Sequence, residues 1–211
     1  MIITTRVHRV LTQFSRVQNN LVMKKDGLLM TRHGNNEVFL KANFDAGIYA
    51  DYGISDLRGF LKLCPVGSLI SVDRNKIKIG NIEINNTRPE HLTYPKQELE
   101  IPVDAQKIWS MNVNSALMKL MKGNTVRIQA KQNIVSVISL NEEVVAQVDV
   151  ERTSPDFHMD IRGENFRGLG ADDYKLNVYE YKGSLALEAL SSDIYAVVAI
   201  SREYDVTNLL S

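Results

Sequence analysis

The chain of 211 residues has one cysteine, five prolines and no long hydrophobic run. The single cysteine, Cys64, excludes an intrachain disulfide and favours a reducing compartment. No apolar run approaches the ~20 residues that a membrane-spanning helix needs. The first residues, MIITTRVHRV, lack the continuous apolar segment of a signal peptide. We therefore expect a soluble intracellular protein that has no membrane partner.

The chain also has no net charge. Its 25 lysine and arginine residues balance 25 aspartate and glutamate residues, and the pI is near 6.9. This balance excludes a generally basic protein that coats nucleic acid, but it permits a local basic surface.

The short motifs of nucleotide-binding and metal enzymes are missing as well. The sequence contains neither G-x-x-x-x-G-K-[ST] nor G-x-G-x-x-G, and the glycines of GENFRGLG at 163–170 have the spacing of neither. The four histidines, His8, His33, His91 and His158, are scattered and form no metal-ligand pattern. We therefore expect no cofactor, no metal and no catalytic residues.

The stretch TTRVHRVLTQFSRVQ, residues 4–18, is predicted to form a helix. Its apolar residues from Val7 to Val17 recur at i, i+3, i+4 and i+7 and define one stripe. An adjoining polar face carries Arg6, Arg9, Gln13 and Arg16. The stretch contains no carboxylate, so no acid balances its positive charge locally.

Short strands are predicted after this helix. The Asp26-Gly27 pair is a strong signal for a two-residue hairpin turn. A second helix is predicted at 55–63 and is stopped by Pro65 and Gly67. A three-strand meander is predicted at 68–86.

The segment 87–104 holds three of the five prolines, which favours a semi-rigid linker. A second helix–strand pattern follows it. The helix predicted at 112–122 is expected to turn four apolar residues inward: Ala116, Leu117, Leu120 and Met121. The order of elements in the first half thus recurs in the second half.

The repeated order predicts an α+β protein with two repeated domains built on antiparallel sheets. The predicted boundaries are 1–88 for the first domain and 89–103 for the interdomain linker. The second domain spans 104–202, and a C-terminal tail spans 203–211.

Positive charge is concentrated on the predicted helices at 5–18, 54–63, 112–122 and 162–168. These segments hold nine basic residues and two acids, whereas the remainder holds 16 basic and 23 acidic residues. A shared basic helical surface would suit phosphate and bind it without reading base sequence. The alternative interpretation is that each helix simply presents a solvated charged face.

Two other classes of function stay open from the residues alone. Four acids in the second half, Asp149, Glu151, Asp156 and Asp160, are candidates for a magnesium site in a metal-dependent nuclease. A structural protein, such as a capsid or tail component built from repeated β domains, is the third hypothesis. It leaves the placement of positive charge on the helices unexplained.

Several segments resemble a known family. The stretch NNLVMKKDGLLMTRHGNNEVFLKANF, followed by GISDLRGFLKL, resembles the first half of the DNA polymerase sliding clamps of T-even bacteriophages. The shared features are an MTR tripeptide after the hairpin and an L-x-G-F-L helix at 57–61. Near the other end, DDYKLNVYEYKG and IYAVVAI look like the last strands of that family. The resemblance runs from residue 6 to residue 200, and between 86 and 172 only element order carries it.

The resemblance implies a non-enzymatic ring. In that family two clamp domains form each subunit, and three subunits close head to tail around duplex DNA, with helices inside and sheets outside. The implied function is to tether the replicative DNA polymerase and confer processivity. The implied partners are duplex DNA without sequence specificity, the polymerase, an ATP-dependent clamp loader and transcription factors, in the cytoplasm of an infected bacterial host.

The resemblance also implies two sets of functional residues. The DNA-facing set is Arg6, Arg9, Gln13, Arg16, Arg58, Lys62, Lys119, Lys122, Arg162 and Arg167. The set for a pocket that binds a partner peptide is Tyr94, Tyr179, Ala196 and Val197. Strand positions such as Tyr179 and Val197 also fit the alternative of ordinary core packing.

Overall fold

The computed structural model describes residues 1–33, 37–44, 50–73, 75–122, 126–131, 134–139, 144–149, 157–166, 168–170 and 172–199. The chain divides into two compact units. The first comprises Met1–Glu98 together with Ser192–Tyr195, and the second comprises Leu99–Ser191 together with Ala196–Ser211. The division after Glu98 falls inside the predicted linker 89–103, which also contains a 3-10 helix at Pro89–His91. The predicted tail 203–211 lies outside the described residues.

The first unit contains two α-helices, α1 (Thr5–Val17) and α2 (Leu57–Leu63). Its strands are β1 (Leu21–Met23), β2 (Leu28–Arg32), β3 (Val38–Asn43), β4 (Tyr52–Ile54), β5 (Ile70–Asp73), β6 (Lys76–Ile79) and β7 (Ile82–Asn85). Within this unit the antiparallel strands lie in the orders β4-β1-β2-β3 and β5-β6-β7.

The second unit contains α3 (Ser115–Met121) and a 3-10 helix at Gly163–Phe166. Its strands are β8 (Gln106–Val113), β9 (Val126–Lys131), β10 (Ile134–Ser139), β11 (Val144–Asp149), β12 (Phe157–Ile161), β13 (Tyr174–Tyr181), β14 (Ser184–Leu190) and β15 (Tyr195–Ala199). Here the strand orders are β11-β10-β9-β12 and β15-β14-β13-β8.

The strand orders of the two units correspond. The order β4-β1-β2-β3 matches β12-β9-β10-β11, element for element along the chain. In the first unit an isolated bridge between Ile2 and Leu69 places the N-terminal residues beside the start of β5. The second sheet corresponds as well, because the order Ile2-β5-β6-β7 of the first unit matches the order β8-β13-β14-β15 of the second. The predicted mixed helix and strand content with antiparallel sheets is confirmed.

The predicted hairpin at Asp26-Gly27 is confirmed, but its turn has three residues and not two, because the Lys24 N–H donates to the Leu28 carbonyl at 3.3 Å. Gly27 has a φ of +80°, which side-chain-bearing residues rarely adopt. An added Cβ would lie 1.6 Å from the carbonyl oxygen of Phe44, and the Phe44 N–H donates to the Gly27 carbonyl at 3.1 Å. The Asp26 side chain accepts the Leu28 N–H at 3.0 Å, which completes the turn.

Helix α1 buries the predicted apolar stripe. Thr4 caps the helix, because its Oγ1 accepts the Val7 N–H at 3.2 Å. Val10, Leu11 and Phe14 are fully buried, and the helix packs against β2 and β3 as well as α2. The stripe therefore anchors α1 to one sheet of the first unit and leaves the arginines outside.

The inward face predicted for α3 is partly wrong. Met118 and Met121 are the buried residues of this helix, whereas Leu120 is 62% exposed and Ala116 is also exposed. The helix is only seven residues long, so two positions three residues apart suffice to seat it. Leu120 consequently adds an apolar side chain to the surface of the second unit.

Cys64 is buried and unpaired, and burial raises the pKa of its thiol to about 11. The thiolate form is thus scarce at neutral pH.

Among the described residues, no helix is both long enough and apolar enough to cross a membrane.

Candidate nucleic-acid interface

The three α-helices found among the described residues carry positive charge and no negative charge. Within their bounds the sequences TRVHRVLTQFSRV, LRGFLKL and SALMKLM hold six lysine and arginine residues and no aspartate or glutamate. All six side chains belong to exposed residues. The structure thus places the predicted helical charge at the surface of each unit.

Helix stability does not account for this arrangement in α1. The N-terminus of a helix carries a partial positive charge and favours carboxylates, yet Arg6 lies in the first turn and no acid does. A positive side chain there slightly destabilises the helix. An anion outside the helix, from elsewhere in the chain or from a ligand, is therefore needed to account for Arg6.

Arg6 and Arg9 share one carboxylate, that of Asp193. The Arg6 Nε donates to Asp193 Oδ1 at 2.6 Å, and an Arg9 Nη donates to Asp193 Oδ2. The Asp193 side chain is 6% exposed, whereas those of Arg6 and Arg9 are 55% and 45% exposed. About half of each arginine side chain is therefore accessible to solvent.

Asp193 stays ionised in this arrangement. Burial alone would raise the pKa of its carboxyl, but the hydrogen bonds from Arg6 and Arg9 and their positive charges outweigh burial and lower that pKa. The net charge of the three groups is therefore +1 at neutral pH.

Arg16 and Gln13 have different surroundings, although both were predicted to face DNA. Arg16 is exposed. Gln13 is only 3% exposed, so its assignment to an exposed DNA-facing surface is wrong in this chain. The cause is that α1 packs against both a sheet and α2, which buries a wider arc of the helix than one apolar stripe.

A network of polar groups fixes the end of α1 to the start of α2. Asp56 caps α2 by accepting the Gly59 N–H at 2.9 Å and the Asn19 side-chain amide at 3.0 Å. The hydrogen bond from Gly59 lowers the pKa of the Asp56 carboxyl most, and the hydrogen bond from Asn19 lowers it further. Asn19 also accepts the backbone N–H of Arg58 at 3.0 Å through its side chain. The junction therefore sets the direction of α2 relative to α1.

Arg58 and Lys62 extend the basic surface from α1 onto α2, and both are exposed. The Arg58 Nε donates to the carbonyl oxygen of Ser15 at 3.1 Å, in the last turn of α1. This contact satisfies a helix-end carbonyl and places a positive charge where the helix dipole favours it. Arg58 thus has a structural role, whereas Lys62 makes no comparable contact among those described.

The predicted basic residues of the second unit lie around α3 and the adjacent 3-10 helix. Lys119 is exposed and Lys122 is half-buried. Arg162 is exposed and lies 3.8 Å from Glu164, a distance typical of a weak surface ion pair. Arg167 lies outside the described residues. Asn114 caps α3 by accepting the Leu117 N–H at 2.9 Å.

The predicted pocket residues are divided between the units. In the first unit, Tyr94 is half-buried and its ring lies between two lysines, with Lys96 Nζ at 4.2 Å and Lys24 Nζ at 6.0 Å from the ring centre. These distances allow cation–π attraction, which orients the ring.

In the second unit, Tyr179 and Asn177 both hydrogen-bond the buried carboxylate of Glu188. The Tyr179 hydroxyl donates to Glu188 Oε2 at 3.3 Å, and the Asn177 amide donates to the same oxygen at 2.7 Å. Burial and the charge of Glu188 raise the pKa of Tyr179. The other predicted pocket residues, Ala196 and Val197, are 0% and 5% exposed.

The acids proposed for a nuclease site are only partly described. Glu151 and Asp156 lie outside the described residues, as does the side chain of Asp149. Asp160 forms a two-point ion pair with Arg127, with distances of 2.8 and 3.0 Å. In the part of the chain that the structure describes, no three His, Cys, Asp or Glu side chains gather as a metal site would require.

Sequence reasoning missed Asp193 and Asn19. Asp193 lies 184 residues from Arg9 in the chain, so no local pattern pairs them. Asn19 carries a weak signal, because an asparagine immediately after a helix commonly bonds nearby backbone groups.

Comparison with known proteins places this geometry in a recognised fold. No protein-family model and no curated protein sequence matches the chain. Solved structures do match. Proliferating cellular nuclear antigen from Entamoeba histolytica has a TM-score of 0.67 at 15% identity, over 92% of this chain and 94% of that chain.

Two further matches are clamps solved with a bound partner segment. The A. fulgidus PCNA bound to the C-terminal region of FEN-1 has a TM-score of 0.63 at 12% identity, over 96% of this chain and 98% of that one. The Helicobacter pylori beta clamp bound to a DNA ligase peptide has a TM-score of 0.65 at 14% identity, over 95% of this chain and 64% of that one. The chain therefore has the sliding-clamp fold.

Proposed function

We propose that this chain is a sliding clamp that encircles duplex DNA without sequence specificity and tethers the replicative DNA polymerase. In this role it confers processivity and carries out no chemistry of its own. The sheets form the outer wall of the ring, and the helices line the hole.

The observation that carries the proposal is the absence of acids from three exposed basic helices in a protein with no net charge. Phosphate contacts supply attraction that does not depend on base sequence, which a protein that moves along DNA requires. The sliding-clamp fold of the similar structures supports the same function.

We propose that three copies close head to tail into the ring. Each copy has a sheet that ends in β7 in the first unit and a sheet that ends in β11 in the second. An edge strand has unpaired N–H and C=O groups that suit pairing with another chain. Ile82 on β7 is 44% exposed, so an apolar side chain also accompanies this edge. Pairing β7 of one copy with β11 of the next makes a head-to-tail contact that can close into a ring.

The mass in solution tests the ring. Light scattering coupled to gel filtration is expected to give about three times the chain mass of 23.8 kDa at high protein concentration. Dilution should shift the population to smaller species, because an interface of modest area dissociates as the protein concentration falls. A monomer or an open-ended assembly at the highest concentration would contradict the ring.

We propose that the polymerase and other partners insert a short apolar peptide into a pocket of the second unit at Tyr179, Ala196 and Val197. Two of the similar clamp structures hold partner segments, from FEN-1 and from DNA ligase. Aromatic side chains are common anchors in such peptide sites. Tyr179 supplies a half-buried ring in the second unit.

Replacing Tyr179 tests the pocket. Tyr179→Ala is expected to weaken binding of a polymerase C-terminal peptide by at least ~1 kcal/mol, because the ring no longer packs on the peptide. Tyr179→Phe removes only the hydroxyl that donates to Glu188 and should bind almost as tightly as the original chain. Calorimetry with the synthetic peptide measures both. Equal affinity for the alanine variant, with its fold and mass unchanged, would place the partner site elsewhere.

The remaining parts of the proposal concern the setting. The resemblance to T-even phage clamps supports a phage protein that acts in the cytoplasm of the infected bacterium. A closed ring cannot thread itself onto circular DNA, so we propose an ATP-dependent clamp loader as a separate partner. Transcription factors that use the ring as a mobile platform are further candidate partners.

A further inference from the structure

Asp193 contacts two arginines of the basic surface that the proposed function assigns to DNA. It comes from a segment near the end of the chain, 192–195, that belongs to the first unit together with α1. Its two carboxylate oxygens accept from different arginines, Arg6 and Arg9, one turn apart on the helix. The contact is therefore a shared, two-sided one and not a single surface ion pair.

We propose that Asp193 acts as an internal competitor of DNA phosphate, which weakens the hold of Arg6 and Arg9 on the duplex and so tunes how tightly the clamp grips DNA. This proposal rests on the proposed function. In this role Asp193 acts on the DNA contacts through the two arginines.

The geometry supports competition in two ways. A carboxylate occupies guanidinium N–H groups in the same manner as a phosphate oxygen, so each contact to Asp193 removes one donor direction from DNA. The side chains of Arg6 and Arg9 are nevertheless about half exposed, so an external anion can still approach both guanidinium groups. Asp193 thus reduces the grip and does not abolish it.

The position of the Asp193 carboxylate is fixed by its burial and its contacts. Its side chain is 6% exposed and hydrogen-bonded on both oxygens, so it cannot turn away into solvent without losing both contacts. Arg6 is further positioned by the ring of Phe44, 5.7 Å from its guanidinium carbon. Competition therefore acts on DNA that reaches this face.

The test compares Asp193→Asn with Glu90→Gln. Both variants remove one negative charge, and Glu90 is an exposed residue of the 3-10 helix Pro89–His91, among the described residues not bonded to any helical arginine. Fluorescence anisotropy with a short labelled duplex is measured over a range of salt. Asp193→Asn is expected to bind about 3- to 10-fold more tightly at low salt, with a salt slope steeper by up to about 0.9, the value for one added phosphate contact.

The same comparison in an Arg6→Gln/Arg9→Gln background shows whether the effect passes through the arginines. There, Asp193→Asn should change affinity no more than Glu90→Gln does. Thermal unfolding and mass in solution verify that each variant is folded and assembled.

Three results would overturn the proposal. Weaker binding by Asp193→Asn would mean that the carboxylate orients the arginines for DNA and does not compete. An effect equal to that of Glu90→Gln would mean that Asp193 acts only through net charge, and DNA binding as such would stand. No binding of the duplex by any variant at low salt would overturn the DNA-facing assignment, and the competition with it.

Discussion

The double variant Arg16→Glu/Lys62→Glu is expected to lose retention on duplex DNA while it keeps its fold and its mass in solution. Arg16 lies on α1 and Lys62 on α2, and both are exposed. Reversing both charges removes two candidate phosphate contacts and adds repulsion. We expect affinity for a duplex at low salt to fall by at least ~10-fold and the salt slope to become shallower, since each lost phosphate contact lowers it by about 0.9.

Arg16 and Lys62 are better targets for charge reversal than Arg9 and Arg58. Arg9 is bonded to Asp193, and Arg58 donates to the Ser15 carbonyl, so reversing either charge would also disturb the packing of the first unit. Arg16 and Lys62 have no such contact among those described. A loss of DNA binding in their variant therefore reports on the surface and not on the fold.

A matched control reverses the same two residue types on strands. Arg32 on β2 and Lys175 on β13 are both exposed, and the proposed ring places the sheets away from DNA. Arg32→Glu/Lys175→Glu carries the same net charge as the helical variant and should retain at least about half of the original affinity for the duplex at low salt. If both double variants lose binding equally, the helices have no special part in contacting DNA.

Elements whose signals lie in consecutive residues are predictable from this sequence. The Asp26-Gly27 turn has both an aspartate that accepts a backbone N–H and a glycine that takes a positive φ, so the hairpin follows from two adjacent residues. Helix α1 follows in the same way from an apolar repeat and a capping threonine.

Orientation around a helix is less predictable, because it depends on how many neighbours the helix has. The wheel of α1 predicts Gln13 beside Arg9 and Arg16, but packing on two sides buries it. In α3 the apolar residues surround most of a short helix, and periodicity alone cannot choose between Met118 and Leu120.

Contacts between residues that are far apart in the chain cannot be predicted from local sequence patterns. Asp193 changes the electrostatics of the α1 surface, although nothing in the sequence near residue 193 resembles a partner for an N-terminal helix. The sequence therefore predicts which residues are basic and where the helices lie, but not how much of that charge is already neutralised within the chain.

The edge of β7 away from β6, which has no strand partner among the described residues, provides the sharpest test of ring closure. The hydrogen bonds of the β6–β7 hairpin define which of its groups face outward. The Asn86 N–H donates to the Asn75 carbonyl at 3.0 Å, so the pair 75/86 is hydrogen-bonded. In an antiparallel ladder, hydrogen-bonded pairs of residues alternate with pairs that do not hydrogen-bond to each other. Asn85, which is opposite Lys76, therefore belongs to a pair whose N–H and C=O groups point away from β6.

Asn85→Pro is expected to break the ring without unfolding the chain. Proline removes the outward N–H of residue 85 and adds a ring at the free edge, but it leaves the hydrogen bonds between β6 and β7 in place. Losing one or more backbone hydrogen bonds at each interface should raise the dissociation constant of the assembly by at least ~10-fold. Asn85→Ala keeps the N–H and serves as the control. Sedimentation at several concentrations measures both variants. A trimer as stable for Asn85→Pro as for Asn85→Ala would mean that the ring closes through a different strand or does not form.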